Sequence, residues 1–426
     1  MTWATVQAPE FNQDKYDALF FIEVLIGVIL FVVASAIGPL LAKFYRVQNL
    51  SLLCVFIGTV AFFNSVTTQP AALLRRQLRQ KKLNMIETVV LIVSNGLGVG
   101  LALMGYGVWA ILWQTFCMYA LRAVLIFFMS GYIPKWPSNL LSVVPELWKG
   151  AGFAVSNYIC YIQLYLGGIL AGRYFGSVAL GNYQRAYTVK SLPTQYASMI
   201  ATDVMVSSLA AMKSVPDKMA EFYRKALVAS AIIGCPAGAF LFSAAREAIF
   251  ILYGPQWNEA VSLLRSYSIA ALVLPISTST IWLFLAAGKA KEQLKMNLIL
   301  SSLSLAALIP VAIFVKNIGV LVLVETILFV VPYLALNLVW SHRALGIALR
   351  PTLDSVKYII IGSLVATAFS EITGACFMRA DWLSFGVKST VFFATYIFIV
   401  IMTIKPFPVP IIERLRFKLT QRMLNI

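Results

Sequence analysis

Two cations stand inside a long apolar stretch of this sequence. Residues 178–202 are apolar enough to cross a bilayer, yet they include Arg185 and Lys190. A cation near the middle of a membrane costs roughly 2.5–3.5 kcal/mol on insertion scales, so it usually faces a partner or a wet cavity. The two side chains lie about 140° apart around a straight helix, so they cannot both face the centre of one cavity. Their charge suggests that the cavity takes an anion.

Uncharged polar residues form a stripe between these cations. They recur at spacings of three and four, which places them on one helix face. The stripe consists of Gln184, Thr188, Ser191, Gln195, Ser198 and Thr202, with Tyr187 and Thr194 at its border. At about 1.5 Å per residue it is roughly 27 Å long, nearly the whole hydrocarbon core. It could line a hydrated cavity or form hydrogen bonds between packed helices. We predict the cavity, with Lys190 as the first candidate for the anion and Arg185 pairing with a neighbouring helix.

The preceding apolar stretch offers a matching face. It carries Asn157, Tyr161 and Tyr165, with Gln163 to one side. Amides beside aromatic rings suit sugars, although tyrosines at helical spacing are equally typical of ordinary packing. Arg265, at the start of a later span, completes the set of residues predicted to line a substrate path.

The remaining ionisable residues are predicted to have structural roles outside the substrate path. Glu87, Glu325 and Glu371 are expected at membrane boundaries, and for Glu87 a proton-carrying role stays open. Arg122 is expected to snorkel or to pair, and His342, the single histidine, to lie at the surface.

No catalytic or metal-binding constellation is evident in the sequence. The run Gly96-Leu-Gly98-Val-Gly100 resembles a nucleotide-binding loop, but it lies in an apolar stretch without a preceding strand. Small residues that let helices approach closely explain it better. We therefore expect no enzymatic activity, no cofactor and no metal.

The composition of the chain indicates which secondary-structure elements hold these residues in place. The chain is 60% hydrophobic and only 12% charged, where soluble domains carry about 25% charged residues. Twelve stretches approach the roughly 20 residues needed to span a bilayer, and only helices satisfy so much backbone in lipid. The sequence predicts an all-α, polytopic inner-membrane helical bundle of about 12 transmembrane helices, in two lobes around a central cavity.

Four segments are predicted along the chain. Residues 1–132 form an incomplete N-terminal lobe of four spans, with a basic cytoplasmic amphipathic helix over residues 69–84. Residues 133–149 form a cytoplasmic linker, and residues 150–345 form a C-terminal lobe of six spans. Residues 346–426 hold a final pair of spans and a basic cytoplasmic tail.

The net charge of +17 has an uneven distribution. Most lysines and arginines fall in alternate connections and in the C-terminal tail, as the positive-inside rule requires of cytoplasmic segments. Both termini are therefore predicted to be cytoplasmic. The charge is expected to contact anionic membrane lipids and not nucleic acid.

Four motifs in order resemble bacterial polysaccharide flippases, the O-antigen and exopolysaccharide transporters of the multidrug/oligosaccharidyl-lipid/polysaccharide exporter superfamily. The resemblance runs to about Ala348. The motifs comprise residues 69–75 with Ile86-Glu87, Gly172-Arg173 with residues 180–187 and 191–193, residues 252–257 with Leu264-Arg265, and residues 287–289.

The resemblance implies an exporter that moves an undecaprenyl-pyrophosphate-linked oligosaccharide from the cytoplasmic to the periplasmic leaflet by alternating access. Such a protein serves lipopolysaccharide, O-antigen or exopolysaccharide biosynthesis. Its partners would include glycosyltransferases, a polymerase and a chain-length regulator of the same pathway. Cations beside a polar stripe suit pyrophosphate, and amides and tyrosines suit sugars.

The sequence departs from the family pattern in two places. Family members usually have two further spans before the segment that matches residues 4–10, which predicts a start assigned too late or a truncated gene. Many relatives also have an acidic residue where Gly167 stands and a basic one where Leu164 stands. Any coupling role of those two charges cannot be transferred to this chain.

Two alternative functions stay open. A multidrug or cation antiporter of the same superfamily would favour a mid-membrane acidic residue facing the cavity, and the sequence offers no convincing one. A membrane-embedded polysaccharide polymerase or glycosyltransferase would need a large hydrophilic loop with paired carboxylates or clustered arginines, which is absent.

Overall fold

A computed structural model describes residues 13–47, 49–77, 79–143, 161–162, 164–212, 215–375 and 382–403. Within these ranges, the side chains of residues 141–142, 193–204, 207, 210–211, 216 and 290–291 are not described. The described part of the chain is helical, with no β-strand. It divides into two compact units, Met1–Asn157 and Tyr158–Ile426.

Four long helices make up the first unit. They are α1 (Gln13–Tyr45), α2 (Leu50–Arg76), α3 (Gln80–Leu103) and α4 (Val108–Ser130). Helix α4 ends because Gly131 adopts a left-handed conformation with φ of 62°, which few other residues tolerate. The chain then runs without regular structure to a short 3-10 turn at Leu140–Val143.

Glycines set how closely α1 and α2 approach each other. A Cβ atom on Gly27 would lie 2.8 Å from the Cβ of Ser65, and one on Gly58 would lie 3.1 Å from the backbone oxygen of Phe31. The backbones of α1 and α2 therefore approach so closely at these glycines that a larger side chain would not fit between them. Large apolar residues on the outer faces of these helices, such as Leu25 and Ile57, are exposed, as expected for surfaces that meet lipid.

Ten helices, three π-helical turns and a 3-10 turn at Pro255–Trp257 make up the regular structure in the described part of the second unit. They are α5 (residues 164–170), α6 (Gly176–Ala211), α7 (Pro216–Ser243), α8 (Ala245–Tyr253), α9 (Glu259–Ala287), α10 (Ala290–Pro310), α11 (Ile318–Leu328), α12 (Leu334–Leu345), α13 (Leu349–Gly374) and α14 (Trp382–Thr403). The π turns are Ala171–Phe175 after α5, Val311–Val315 after α10, and Phe329–Tyr333 between α11 and α12.

Helix α9 is the centre of the second unit. Most of its residues are buried, including Ser279 and Thr280. A Cβ atom on Gly238 of α7 would lie 2.5 Å from the carbonyl oxygen of Ala271, so α7 and α9 touch backbone to backbone. The hydroxyls of Ser279 and Thr280 donate to carbonyl oxygens of their own helix, and Ser279 also lies 3.0 Å from the hydroxyl of Tyr223.

Polar contacts join the last helix, α14, to α7 and α8. In a buried ion pair, the Lys388 ammonium of α14 lies 2.8 Å from the Glu247 carboxylate of α8. The same ammonium donates to the carbonyl oxygen of Ser243 at 2.9 Å. The Tyr396 hydroxyl of α14 donates to the carbonyl oxygen of Ile232 in α7 at 2.8 Å. Sequence reasoning did not identify this ion pair.

Three local expectations differ from the structure. The predicted amphipathic helix over residues 69–84 is not a separate element, because residues 69–76 end α2 and residues 80–84 begin α3. In the Gly96–Gly100 run, only Gly98 meets a neighbouring helix, at Gln114 of α4. The expectation that His342 lies at the surface is wrong. Its ring is buried at the end of α12, where Nε2 lies 3.1 Å from the Thr352 hydroxyl.

Ten segments of the described residues are long and apolar enough to cross a membrane. They are α1 to α4, α7, α9, α10 with its π turn, α11 joined to α12, α13 and α14. The other two predicted spans are the fifth, much of which lies in residues 144–160 outside the described part, and the sixth, which corresponds to α6.

Candidate functional site

Lys190 lies half-buried on α6 and is surrounded by aromatic rings. Its ammonium nitrogen is 4.6 Å from the ring centroid of Tyr187, 4.4 Å from that of Tyr267 on α9, and 6.0 Å from that of Phe329. A cation over a ring face is attracted by the ring quadrupole. Among the described residues, no carboxylate oxygen lies within 4.0 Å of the Lys190 ammonium nitrogen, the limit for an ion pair. The three rings are therefore its close partners.

A carboxylate sits on the other side of the same tyrosine. The Tyr267 hydroxyl donates to Oε2 of Glu325 on α11 at 2.8 Å, and the Tyr183 hydroxyl of α6 donates to the same oxygen at 3.1 Å. The expectation that Glu325 marks a membrane boundary is therefore wrong, because it lies within a network that joins α6, α9 and α11. Glu325 and Lys190 therefore contact the same tyrosine, Tyr267, one at its hydroxyl and the other at its ring face.

Gly167 on α5 makes room for this network. A Cβ atom at Gly167 would lie 2.7 Å from Oε2 of Glu325 and would also collide with the Tyr183 hydroxyl. The place that an acidic side chain on α5 would take is thus filled by a carboxylate from α11. We call Lys190, Tyr183, Tyr187, Tyr267 and Glu325 the lysine–glutamate cluster.

Arg185 lies apart from this cluster. Its exposed guanidinium stacks on Tyr253, 4.7 Å from the ring centroid, and on Trp257, 5.0 Å from the ring centroid. A Cβ atom on Gly181 would lie 3.0 Å from the Trp257 ring. Two of the sequence motifs, residues 180–187 and 252–257, therefore meet each other. Arg185 pairs with a neighbouring element as predicted, but its partners are aromatic rings.

The described part of the polar stripe faces away from the core of the second unit. Gln184 and Thr188 are exposed and Ser191 is half-buried, whereas Tyr183 and Ala186 on the opposite side of α6 are buried. The Ser191 hydroxyl donates to the Thr188 carbonyl oxygen at 2.8 Å. The side chains of Thr194, Gln195, Ser198 and Thr202 lie outside the described residues. The role of the stripe as a substrate path remains a prediction.

On the preceding helix, two of the four candidates are described. Tyr161 and Tyr165 are exposed, and their rings stack with centroids 6.1 Å apart. Asn157 and Gln163 lie outside the described residues. The stacked pair presents ring faces of the kind that sugars pack against.

Arg265 and Arg122 each pair with a glutamate. Arg265 on α9 lies 3.8 Å from the Glu371 carboxylate of α13, on a partly exposed face. In the first unit, Nε of Arg122 donates to Glu87 at 2.8 Å, and its terminal nitrogen NH1 reaches Asn64 at 3.4 Å. The pairing of Arg122 agrees with the prediction. Its partner Glu87 belongs to α3.

Sequence reasoning found Lys190 and missed Glu325, although a signal was present. Residues 317–341 contain no other charged residue than Glu325. A lone carboxylate in an apolar run of this length is itself an indication of a functional position. Tyr183 and Tyr267 had no such signal, because tyrosines on apolar helices are ordinary packing residues.

Comparison with known proteins supports a common family. The model of the polysaccharide biosynthesis protein family matches residues 1–262. An uncharacterized membrane protein in the cps region of Klebsiella pneumoniae is 22% identical over 70% of this chain. The teichuronic acid biosynthesis protein TuaB of Bacillus subtilis is 25% identical over 67%, and the succinoglycan biosynthesis transport protein ExoT of Rhizobium meliloti is 25% identical over 58%.

These matches cover 62%, 60% and 50% of the three relatives, so the chain spans about half to three fifths of their length. Among solved structures, the lipid II flippase MurJ in an inward closed conformation superimposes with a TM-score of 0.70 at 13% identity. That match covers 94% of this chain and 86% of the flippase, which shows a shared fold. With its many apolar spans, this chain is a multi-pass membrane protein and belongs to the polysaccharide biosynthesis protein family.

Proposed function

We propose that this chain is a transporter that flips undecaprenyl-pyrophosphate-linked oligosaccharides for lipopolysaccharide, O-antigen or exopolysaccharide biosynthesis. It works by alternating access in the bacterial inner membrane, with both termini cytoplasmic, and it is not an enzyme. The observation that carries the proposal is the Lys190 ammonium, which lies half-buried on α6 with aromatic rings as its close partners.

The chemistry of this ammonium suits a phosphate group. Each ring contact stabilises the cation by about 0.5–2 kcal/mol, which holds the charge in the membrane without neutralising it. The ammonium keeps N–H donors that can form charge-assisted bonds with phosphate oxygens. The exposed Gln184 and Thr188 on the same helix, with the stacked Tyr161 and Tyr165, offer amide, hydroxyl and ring surfaces for the sugars.

The similar proteins support the same class of cargo. One is a biosynthesis protein for teichuronic acid, another a transport protein for succinoglycan, and the flippase with the shared fold acts on lipid II. From these we infer that glycosyltransferases, a polymerase and a chain-length regulator of one pathway supply and use the cargo. Membrane lipids surround the spans.

A second candidate function rests on Glu325. A cation or multidrug antiporter needs a carboxylate within the membrane, and Glu325 is such a group, held by two tyrosine hydroxyls. Deleting the gene and measuring drug sensitivity separates the two functions. An antiporter predicts hypersensitivity with normal surface polymer, and a flippase predicts the reverse.

The main test is the variant Lys190→Gln in a strain that lacks the native gene. We expect surface polymer to fall at least tenfold while lipid-linked oligosaccharide accumulates on the cytoplasmic side, at an unchanged protein level. The matched control is Lys357→Gln, because Lys357 is an exposed lysine at the start of α13 that pairs with Asp354. Normal surface polymer in the Lys190 variant would exclude this side chain from the substrate path.

A further inference from the structure

The lysine–glutamate cluster holds two opposite charges that do not touch. Tyr267 separates them, because its ring face meets the Lys190 ammonium at 4.4 Å from the centroid and its hydroxyl meets Glu325 at 2.8 Å. Among the described residues, no ion pair within 4.0 Å joins them. Each charge therefore stabilises the other at a distance, and the Lys190 side chain is only half-buried.

The charges around Glu325 come from few groups. Helix α6 contributes Lys190 with Tyr183 and Tyr187, helix α9 contributes Tyr267, and the described part of α5 contributes Gly167 beside the carboxylate and Tyr165 near Tyr187. Within the described part of the chain, Lys190 is the positive charge that lies against the same tyrosine, Tyr267, as this carboxylate. The charge state of Glu325 therefore depends on what else the Lys190 ammonium binds.

We propose that Lys190 and Glu325 form a substrate-gated proton site, in which an anionic phosphate bound at Lys190 makes Glu325 take up one proton from water. The proposal rests on the proposed function and adds the ion that is coupled to it. The bound phosphate cancels the positive charge that stabilises the carboxylate, and adds negative charge beside it. Release of the phosphate restores the ammonium to Glu325, which then returns the proton to water.

The geometry indicates which oxygen takes the proton. Oε2 of Glu325 accepts from Tyr267 at 2.8 Å and from Tyr183 at 3.1 Å, whereas Oε1 has only a weaker contact with the Tyr183 hydroxyl at 3.3 Å. A proton on Oε1 leaves both bonds to Oε2 in place. The carboxyl group can thus change its charge without a rearrangement of the two tyrosines.

The expected coupling is large enough to measure. Two unit charges that face each other across one tyrosine ring, ~8 Å apart in a medium of effective dielectric constant about 20, change an equilibrium by roughly thirtyfold. By linkage, the phosphate binds more tightly to the protonated form of Glu325 by the same factor by which it favours protonation.

Infrared difference spectroscopy on the purified full-length chain tests the proposal. The probe is farnesyl pyrophosphate, which has no carboxyl group of its own. On binding, wild-type protein should gain the carbonyl stretch of one protonated carboxylic acid and lose the corresponding carboxylate bands. The signal should vanish in Glu325→Gln, shift in Glu325→Asp, and persist in the control Glu371→Gln, whose carboxylate pairs with Arg265 on a partly exposed face.

The outcomes separate this proposal from the proposed function. If the wild-type protein binds the probe and Lys190→Gln binds it at least tenfold more weakly, but no protonated carboxyl band appears, the coupling is wrong and the transporter function stands. The same holds if the band survives in Glu325→Gln. If wild-type protein does not bind the probe and Lys190→Gln exports polymer normally, both proposals fail. The wild-type spectrum decides the coupling even if a Glu325 variant does not fold.

Discussion

The buried ion pair between Lys388 and Glu247 allows a quantitative prediction about stability. Both side chains are almost wholly buried, with 7% and 4% of their surface exposed, and their charged atoms lie 2.8 Å apart. Replacing one partner leaves a buried, uncompensated charge, which costs about 3–5 kcal/mol. We expect Lys388→Met to lower the melting temperature in detergent by on the order of 10 °C.

The double variant shows whether charge is the cause. In Lys388→Met with Glu247→Gln no charge remains, and the Ser384 hydroxyl, 3.3 Å from Glu247, can still bond to the amide. We therefore expect the double variant to be more stable than either single variant, with a loss of about 1–2 kcal/mol from the missing hydrogen bonds.

An exposed pair provides the control. Lys357 and Asp354 lie 2.9 Å apart on α13 with about half of each side chain in contact with solvent. Because exposed ion pairs contribute little, Lys357→Met should leave the melting temperature unchanged. Additive losses in the double variant at Lys388 and Glu247 would refute the reasoning, because they would show that the two charges do not compensate each other.

Three further predictions concern other contacts. Arg122→Gln should cost about 1–2 kcal/mol because it leaves the Glu87 carboxylate unpaired in the membrane, and adding Glu87→Gln should recover part of the loss in melting temperature. Gly238→Ala should destabilise the protein by about 1–3 kcal/mol, because its Cβ meets the α9 backbone. Gly100→Ala, with nothing within 4 Å, should instead raise the melting temperature slightly. Trp257→Ala should lower it by removing the ring on which a guanidinium stacks, and an unchanged value would refute that contact.

The helical class and the candidate cation could be predicted from sequence because both depend on local pattern. Apolar runs of sufficient length predict spans wherever they occur, and a lysine within such a run is conspicuous at once. The partners of Lys190 could not be predicted in the same way. Tyr267 and Phe329 come from α9 and the α11–α12 turn, and only the packing of these helices brings them to α6.

The errors have a common physical reason. His342 and Glu325 were assigned to surfaces because a polar side chain near the end of an apolar run usually reaches water. In the structure each has partners from other segments, Thr352 for the histidine and two tyrosine hydroxyls for the glutamate. The basic run over residues 69–84 predicts a surface helix, because a pattern of charges does not show where one span ends and the next begins.

The position of Glu325 depends on the π-helical turn at Phe329–Tyr333, which sets how α11 is rotated relative to α12. A π turn holds one residue more than the α-helix it interrupts, and this one joins α11 with Glu325 to α12 with the buried His342. Winding the same five residues as regular α-helix would rotate α11 by about 100° relative to α12. Glu325 would then leave its tyrosines although no residue of the cluster had changed. A single-codon deletion in this turn would, by contrast, keep Glu325 near its tyrosines, because four α-helical residues turn about as far as the five residues of the π turn.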